Sequence, residues 1–433
     1  MTWKAIRSTG WGRVLSASEQ AARPERAHAL TTLAAERPCP AVGARRSYGD
    51  ACLNDGGRVI LTDRLDRVLA FDPEAGTLTA EAGTRLGDLA RLLAPRGFLP
   101  PVLPGTGQAT LGGAIAMDVH GKNHHHAGSF GEHLAEITLA TAEGPRVLQP
   151  NDPLFRATVG GLGQTGPILS ARLRLTRTKG DVVVVTERRM PDLATFLARL
   201  DGSEATHTVG WIDATATGDA LGRGILEEAE TSAGLVPPAR RGRRVPLDAP
   251  SGLLSAPVVR AFNAAYHARV PARGRTVVKP IDDFFFPLDR IADWNRLYGR
   301  AGFHQFQCVV PPGAAEALRP MLARIARAAH ASPLAVLKRM GPGRAGPMSF
   351  PMAGYTLAVD LPARAGADRL TAELNAMTVE AGGRVYLAKD STATAGQAHA
   401  MYPDRAAWAE LVNAHDPDRA FETDLTRRLK LRA

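Results

Sequence analysis

Residues 42–54 read VGARRSYGDACLN. An apolar lead-in, Pro40-Ala41-Val42, runs into Gly43, Ala44, Arg45, Arg46 and Ser47, then Tyr48-Gly49-Asp50. Gly43 and Gly49 permit backbone geometry that a β-carbon forbids. Successive free N–H groups in such a turn form a nest for an anion. Arg45, Arg46 and the Ser47 hydroxyl add charge and donors. The stretch reads as a phosphate or pyrophosphate loop. A surface turn with solvated arginines fits the same residues, so the choice rests on what surrounds them.

Moving outward, residues 103–131 read LPGTGQATLGGAIAMDVHGKNHHHAGSFG. This glycine density exceeds what a plain turn needs. Gly112-Gly113-Ala114-Ile115-Ala116 offers almost no side chains, so a flat ligand can lie on its backbone. Residues 152–168 read DPLFRATVGGLGQTGPI and residues 386–391 read YLAKDS, with HAMYP at 399–403. Together these segments resemble the FAD-binding flavoproteins of the vanillyl-alcohol oxidase type, most nearly the decaprenylphosphoryl-β-D-ribose 2′-oxidase family. HGKNHHHAGSFG and YLAKDS are the specific parts; the loose glycine patterns are not. The resemblance implies an α+β, two-domain FAD-binding fold of the vanillyl-alcohol oxidase (PCMH) type with an α+β substrate cap. Residues 1–180 would form the FAD-binding domain, 181–383 the cap with a mobile loop at 226–258, and 384–433 a C-terminal return to the FAD-binding domain.

A chain of 433 residues is too long for one ordinary core, which agrees with two domains. Its 45% hydrophobic and 22% charged content are those of a soluble globular protein. No run is long enough to cross a bilayer, and MTWKAIRSTGWGRV lacks the apolar core of a signal peptide. The expected location is the cytoplasm, with membrane association left open. Cys39, Cys52 and Cys308 make an odd count without C-x-x-C spacing, which argues for packing over disulfides or structural zinc. The formal charge of +10 is spread along the chain, and only 6% of residues are aromatic. No basic–aromatic interleaving suggests a nucleic-acid stacking platform, so no nucleic-acid partner is expected. The sharpest charge run is Ala239–Arg244. It reads as disordered chain or as a lid whose arginines meet a phosphate or a membrane surface.

Hydropathy patterning predicts a helix over Ala17–Glu36, strands at Arg58–Thr62, Val68–Phe71 and Thr77–Glu81, and a helix from Thr84 ended by Gly97. It predicts a hairpin, Ile137–Ala142 with Arg146–Leu148, and a short helix capped by Asp152. Gly161-Leu-Gly163-Gln-Thr-Gly166 is a literal G-x-G-x-x-G. However, Ile168–Thr176 alternates as a strand, so the Rossmann reading, which needs a helix there, is rejected. Later, Val182–Thr186, Gln305–Val310, Tyr355–Val359 and Arg384–Ala388 read as strands. Pro191–Leu200, Ala314–Ala331 and Asp368–Ala381 read as helices.

The chemistry follows from the resemblance. It implies non-covalent FAD, because the loop at Arg46-Ser47-Tyr48 lacks the histidine that often bonds to the flavin; His120, the other residue that could carry such a bond, is not expected to. It places Gly43, Ala44, Arg45, Arg46, Ser47, Tyr48, Gly105, Thr106, Thr110, Gly112, Gly113, Ala116, His120, Gly121, Asn123, His124, Ser129, Gly163, Ile168 and Tyr386 around the cofactor. It places Lys122, Phe285, Gln305, Gln307, Lys338, Thr356 and Ala358 around the substrate. Lys389 and His120 are the expected catalytic residues. A lysine beside the flavin can take the hydroxyl proton as hydride leaves the carbinol carbon for flavin N5, or can hold the developing oxyanion. Lys338 can bind a phosphate. Gln305 and Gln307 alternate on one strand, point the same way, and suit a hydroxyl-rich ligand. Trp211 and Phe303 read as core residues or sugar-stacking faces. His120, His124, His125 and His126 lack a convergent third or fourth ligand pattern, so no metal is expected.

The expected reaction is oxidation of a secondary alcohol of a sugar, such as the 2′-OH of a phosphorylated or polyprenyl-phosphorylated pentose. A partner ketoreductase would complete an epimerisation. Phe285-Phe286, Thr356 and Ala358 replace polar residues of the ribose oxidases, and such losses bear on substrate choice. A same-fold oxidase or dehydrogenase of a soluble nucleoside, aminoglycoside or alditol stays open. So do a basic nucleic-acid-binding protein and a flavin-binding protein without catalysis.

Overall fold

The computed structural model describes residues 2–236, 242–330 and 332–433. The first part of the Ala239–Arg244 run and Ala331, the end of an expected helix, lie outside them.

The chain opens with an antiparallel pair, Lys4–Thr9 and Ser16–Ala22, and not with the long helix expected over Ala17–Glu36. Ala17, Glu19 and Ala21 alternate inward, and Pro24 separates the strand from a shorter helix, Ala27–Glu36. The residue before a proline is biased to extended geometry, which overrides the helix propensity of this alanine-rich run. Strand Arg58–Leu61 lies between Ser16–Ala22 and the two-residue strand Ala41–Val42, parallel to both. That arrangement launches the Gly43 loop from a sheet edge.

A second, antiparallel sheet has the order Val68–Asp72, Thr77–Glu81, Ile168–Arg174, Leu134–Thr141, Gly144–Leu148. Ile168–Arg174 is the strand that follows the G-x-G-x-x-G, as its alternation predicts. Asp152 caps the helix Pro153–Thr158 by accepting from the Leu154 N–H, and Gly97 sits at φ 79° after the helix Leu86–Leu93 and its final turn.

The third sheet is the roof of the site. Its eight strands run in the order Arg275–Pro280, Val182–Met190, Gly224–Ser232, His207–Ile212, Ala335–Met340, Gly354–Pro362, Phe303–Val310, Arg384–Val385. Strand alternation gives it two unlike faces. Phe306, Cys308, Leu337, Leu357 and Val359 pack outward with Phe196, Leu322 and Leu370 of the helices Leu193–Asp201, Leu318–Ala328 and Ala367–Glu380. Gln305, Gln307, Val336, Lys338, Thr356 and Ala358 face the other way.

Two expectations are corrected here. The 226–258 segment is not one loop, because strand Gly224–Ser232 runs into it and helix Ala256–Ala268 begins inside it. The strand hides behind its acids: Glu228 pairs with Arg188 and Arg199, and Glu227 with Lys279, so charged positions that read as loop are satisfied in a sheet. The strand expected over Arg384–Ala388 stops at Val385, and Tyr386–Asp390 turns, with the Lys389 and Asp390 N–H groups donating to the Tyr386 carbonyl.

Candidate active site

A cavity of about 1310 Å³ lies between the glycine-rich loops and the roof sheet. That exceeds the ~300–1,000 Å³ of an ordinary small-ligand pocket and suits a cofactor together with a substrate.

Its floor is the loop Gly43–Tyr48. Trp11 N–H donates to the Ser47 carbonyl at 2.8 Å, and Tyr48 N–H to the Ala388 carbonyl at 2.8 Å. These bonds tie the loop to the turn that carries Lys389. Arg45 takes up left-handed geometry at φ 52° and directs its guanidinium to buried Glu19 at 3.0 Å. Its charge is thus partly spent within the fold. Arg46 lies over the Trp11 ring, 4.2 Å from its centroid. A β-carbon on Gly43 would collide with the Thr110 hydroxyl, which caps the turn Leu111–Ala116 by accepting from Gly113 N–H. Thr106 donates to Asp289 at 2.7 Å, as does Gly107 N–H, so the floor is pinned to the roof side.

All residues placed at the cofactor by the sequence line this cavity except Asn123, His124 and Ser129, and all placed at the substrate except Phe285. Asn123 donates to the Pro101 carbonyl behind the wall. The His124 Nδ1 accepts from Gly341 N–H, and its ring is 1% exposed. Ser129 is fully buried, with its N–H bound by Glu132. Phe285 is core, packed edge-on against His207 and Phe284, and Phe284 lines the cavity in its place. Lys122 sits 3.9 Å from the centroid of that Phe284 ring and donates to the Phe284 carbonyl. Trp211 lines the cavity, whereas Phe303 is core, stacked on Tyr298. Cys52 also reaches the wall, but burial pushes its thiol up to about 12, so it remains protonated. Among the described residues no three His, Cys, Asp or Glu side chains converge as a metal site.

One end of the cavity gathers lysines and a histidine around Lys389. Its Nζ stands 3.5 Å from the centroid of the Tyr48 ring. Burial, then the positive charge of Lys338, brings it down to about 7 against the opposing pull of Asp360. Burial alone brings Lys338 down to about 8, and burial foremost brings Lys122 to about 7. Neither the Lys338 nor the Lys389 ammonium makes a hydrogen bond among the described residues. His120 packs on Phe350 and Tyr386 and is held neutral, chiefly by burial and then by Lys338. The Gln307 amide donates to His120 Nε2 at 3.0 Å and to the Thr356 hydroxyl at 3.3 Å. The proton of His120 therefore sits on Nδ1, which is buried and has no partner.

Several observations fit a bound FAD. A β-carbon on Gly105 or Gly163 would enter open space along the cavity wall. The Nε atoms of Arg45 and Arg46, and Nδ1 of His120, are buried and unpartnered. Buried donors of this kind ask for an acceptor. Gly43–Tyr48 would hold the pyrophosphate, and Gly112, Gly113, Ala116, His120 and Tyr386 would flank the ring system.

Sequence reasoning missed Asp360, Asp289, Phe284 and the charged outer wall formed by Glu187, Glu227 and Lys279. For Asp360 the signal was present: strand alternation carries Thr356 and Ala358 on to position 360.

Residues 21–147 match the model of a FAD binding domain family. The chain is 39% identical to decaprenylphosphoryl-β-D-ribose oxidase of Mycolicibacterium smegmatis, over 98% of this chain and 97% of that one. It is 32% identical to D-arabinono-1,4-lactone oxidase of Eremothecium gossypii over 31% of this chain and 26% of that one. Among solved structures, the Physcomitrella patens BBE-like 1 protein superposes with a TM-score of 0.70 at 13% identity, covering 96% of both chains, which speaks for the fold alone. The glycine-lined floor, the roof sheet and the near full-length similarity lead to one assignment: the chain belongs to the decaprenylphosphoryl-β-D-ribose oxidase family of FAD-dependent oxidoreductases.

Proposed function

We propose that this enzyme oxidises the 2′-hydroxyl of a pentose attached through phosphate to a polyprenyl chain. The observation that carries the reading is the order of groups across the roof sheet. Gln305 and Gln307 stand next to Thr356 and Ala358, then Lys338 and Val336, then Trp211 and Ile225. Neighbouring strands lie about 4.8 Å apart. A sugar at the amides thus places an anion near Lys338 and an apolar tail along Trp211. Bound FAD supplies the acceptor for the hydride leaving the carbinol carbon. Lys389 accepts the hydroxyl proton, and the C–O bond becomes a carbonyl. His120 fixes Gln307, whose amide is then set for the sugar. The ketone product suits a partner ketoreductase, which would complete an epimerisation.

A polyprenyl substrate resides in a membrane, and the cavity mouth suits one. Exposed Val278 and Arg244 line it and half-exposed Phe262 stacks on Tyr266 of its wall, while Leu247 (77% exposed), Leu253 and Val258, with exposed Arg243, Arg260 and Arg273, lie on the same stretch of chain. Apolar side chains flanked by arginine fit an anionic lipid surface. Among the described residues no helix is long and apolar enough to cross a membrane. We place the enzyme peripherally, at the cytoplasmic face. It should co-sediment with vesicles containing anionic lipid, and Leu247→Ser/Phe262→Ser should lose at least half of that binding. Equal sedimentation of wild type and double variant would refute membrane contact here.

The first test of the reaction is spectral. Acid precipitation should leave the flavin colour in the supernatant, as non-covalent FAD requires. Anaerobic addition of a polyprenylphosphoryl pentose should then bleach the flavin faster than nucleosides or alditols do. Bleaching only by a soluble sugar or nucleoside would overturn the substrate assignment and leave the oxidoreductase standing.

A further inference from the structure

One buried carboxylate whose charge reaches Lys389 without forming an ion pair with it has no part in the reaction as described. Asp360 is fully buried and does not line the cavity. It sits on the roof strand Gly354–Pro362, paired in register with Gln305 of Phe303–Val310. Two donors engage it: the Gln305 Nε2 on one oxygen, and the Tyr298 hydroxyl on the other at 2.9 Å. The aromatic packing closes a circuit back to the reacting end. Tyr298 stacks on Phe303 at 4.0 Å between centroids, Phe303 meets Tyr48 edge-on at 5.5 Å, and Tyr48 carries the Lys389 ammonium above its ring.

Resting on the proton-acceptor role of Lys389 above, we infer that Asp360 is a positioning residue for the reaction: it is the buried counter-charge of Lys389 and the clamp that fixes which end of the Gln305 amide meets the substrate. An ionised carboxylate only accepts hydrogen bonds, so the amide must turn its NH₂ toward Asp360. The Gln305 carbonyl is then left for the cavity, where it can accept from a sugar hydroxyl. A site that accepts from a hydroxyl rejects analogues lacking it. The counter-charge acts on Lys389. Burial opposes charge on both groups and holds the Asp360 carboxyl up to about 7. Asp360 and Lys389 each favour the other's ionised form. The groups facing Lys389 are Asp360, which raises its proton affinity, Lys338, which lowers it, Tyr48 beneath it, and neutral His120, itself held neutral in part by Lys389.

Asp360→Asn isolates the charge. The asparagine oxygen can still accept from Gln305, and its NH₂ can donate to the Tyr298 oxygen, whose proton then turns to the Ser332 hydroxyl 3.0 Å away. Without the carboxylate the lysine gives up its proton more readily. Lysine must be neutral to accept a proton, so flavin reduction, which falls as pH falls through the lysine pKa, should persist to lower pH. The acid limb of the anaerobic reduction rate should move down by about one pH unit, with the flavin spectrum and melting profile close to wild type. Tyr298→Phe, which removes a donor to the carboxylate together with the bond to Ser332, should move the limb the same way by less and serves if Asp360→Asn does not fold. An unmoved limb in a folded variant overturns the inference, whatever happens to the plateau rate. Lys389→Ala is the control: if that variant still turns over, the proton-acceptor reading falls first. If it is inactive while the Asp360→Asn limb stays in place, only the role of Asp360 falls.

Discussion

Lys389→Ala should reduce substrate-driven flavin reduction by about 10²–10⁴-fold, the usual worth of a positioned general base, while the protein still binds FAD. The lysine stands on a turn, not on the strand before it, and the turn is bolted to the Gly43–Tyr48 loop by Tyr48 N–H to the Ala388 carbonyl. Its ammonium has an aromatic face below and no hydrogen-bond acceptor around it among the described residues. A structural lysine would be paired; this one is kept near half-protonation at neutral pH by burial. The same burial gives an independent sign. Because its folded pKa lies below the value of 10.5 for a free side chain, the unfolded state binds more protons between about pH 7 and 10. Wild-type stability attributable to this group therefore rises across that window and is lowest below it. Lys389→Ala should lose activity without losing stability at neutral pH. A variant that is inactive because it has unfolded, or one that reduces flavin at more than a tenth of the wild-type rate, would count against the role.

How far the sequence could carry this site depends on the kind of contact. The glycine floor was legible because a missing β-carbon at Gly43, Gly112 or Gly113 is a local fact, and the cavity wall needs it. The shared face of Gln305 and Gln307 was legible from strand alternation. Lys389 was reached through the resemblance of YLAKDS; composition alone would have left it a surface lysine. Local reading failed where local preferences compete. Ser16–Ala22 has helix-favouring composition and folds as a strand because its small residues are buried against Arg58–Leu61. Gly224–Ser232 looked like loop because its acids have partners on other strands. In Phe284-Phe285-Phe286 any of the three rings could face the ligand; the fold puts Phe284 on the cavity wall and Phe286 against Gly107, and no local pattern tells the three apart. Asp360 and its two donors come from three separated segments, which no local pattern joins.

The longest-range of these contacts carries the second large expectation, that Arg428→Leu destabilises the protein by about 3–5 kcal/mol. Arg428 closes the C-terminal helix Asp424–Arg428 and grips Asp50 with two bonds, of 2.7 and 2.8 Å, across 378 residues of sequence. The same guanidinium reaches Asp390 at 2.9 Å and the Ala393 carbonyl at 2.7 Å. Asp50 follows the Gly43–Tyr48 loop, and Asp390 follows Lys389. One planar cation thus neutralises two nearly buried carboxylates, 6% and 1% exposed, on two loops that abut at the cavity floor. Leucine would leave both charges in place without a partner, and that uncompensated burial, more than the lost attraction, sets the cost. Arg428→Lys keeps a charge but cannot fork to both acids, so it should fall between wild type and leucine. Denaturant unfolding of the three proteins should give midpoints in that order, and the leucine variant should also bind FAD more weakly because Gly49 packs directly on the Asp390 carbonyl. If leucine and wild type unfolded at the same denaturant concentration, the two loops would have to be held by their backbone bonds alone, and the C-terminal helix would be a passive cover over a site that assembles without it.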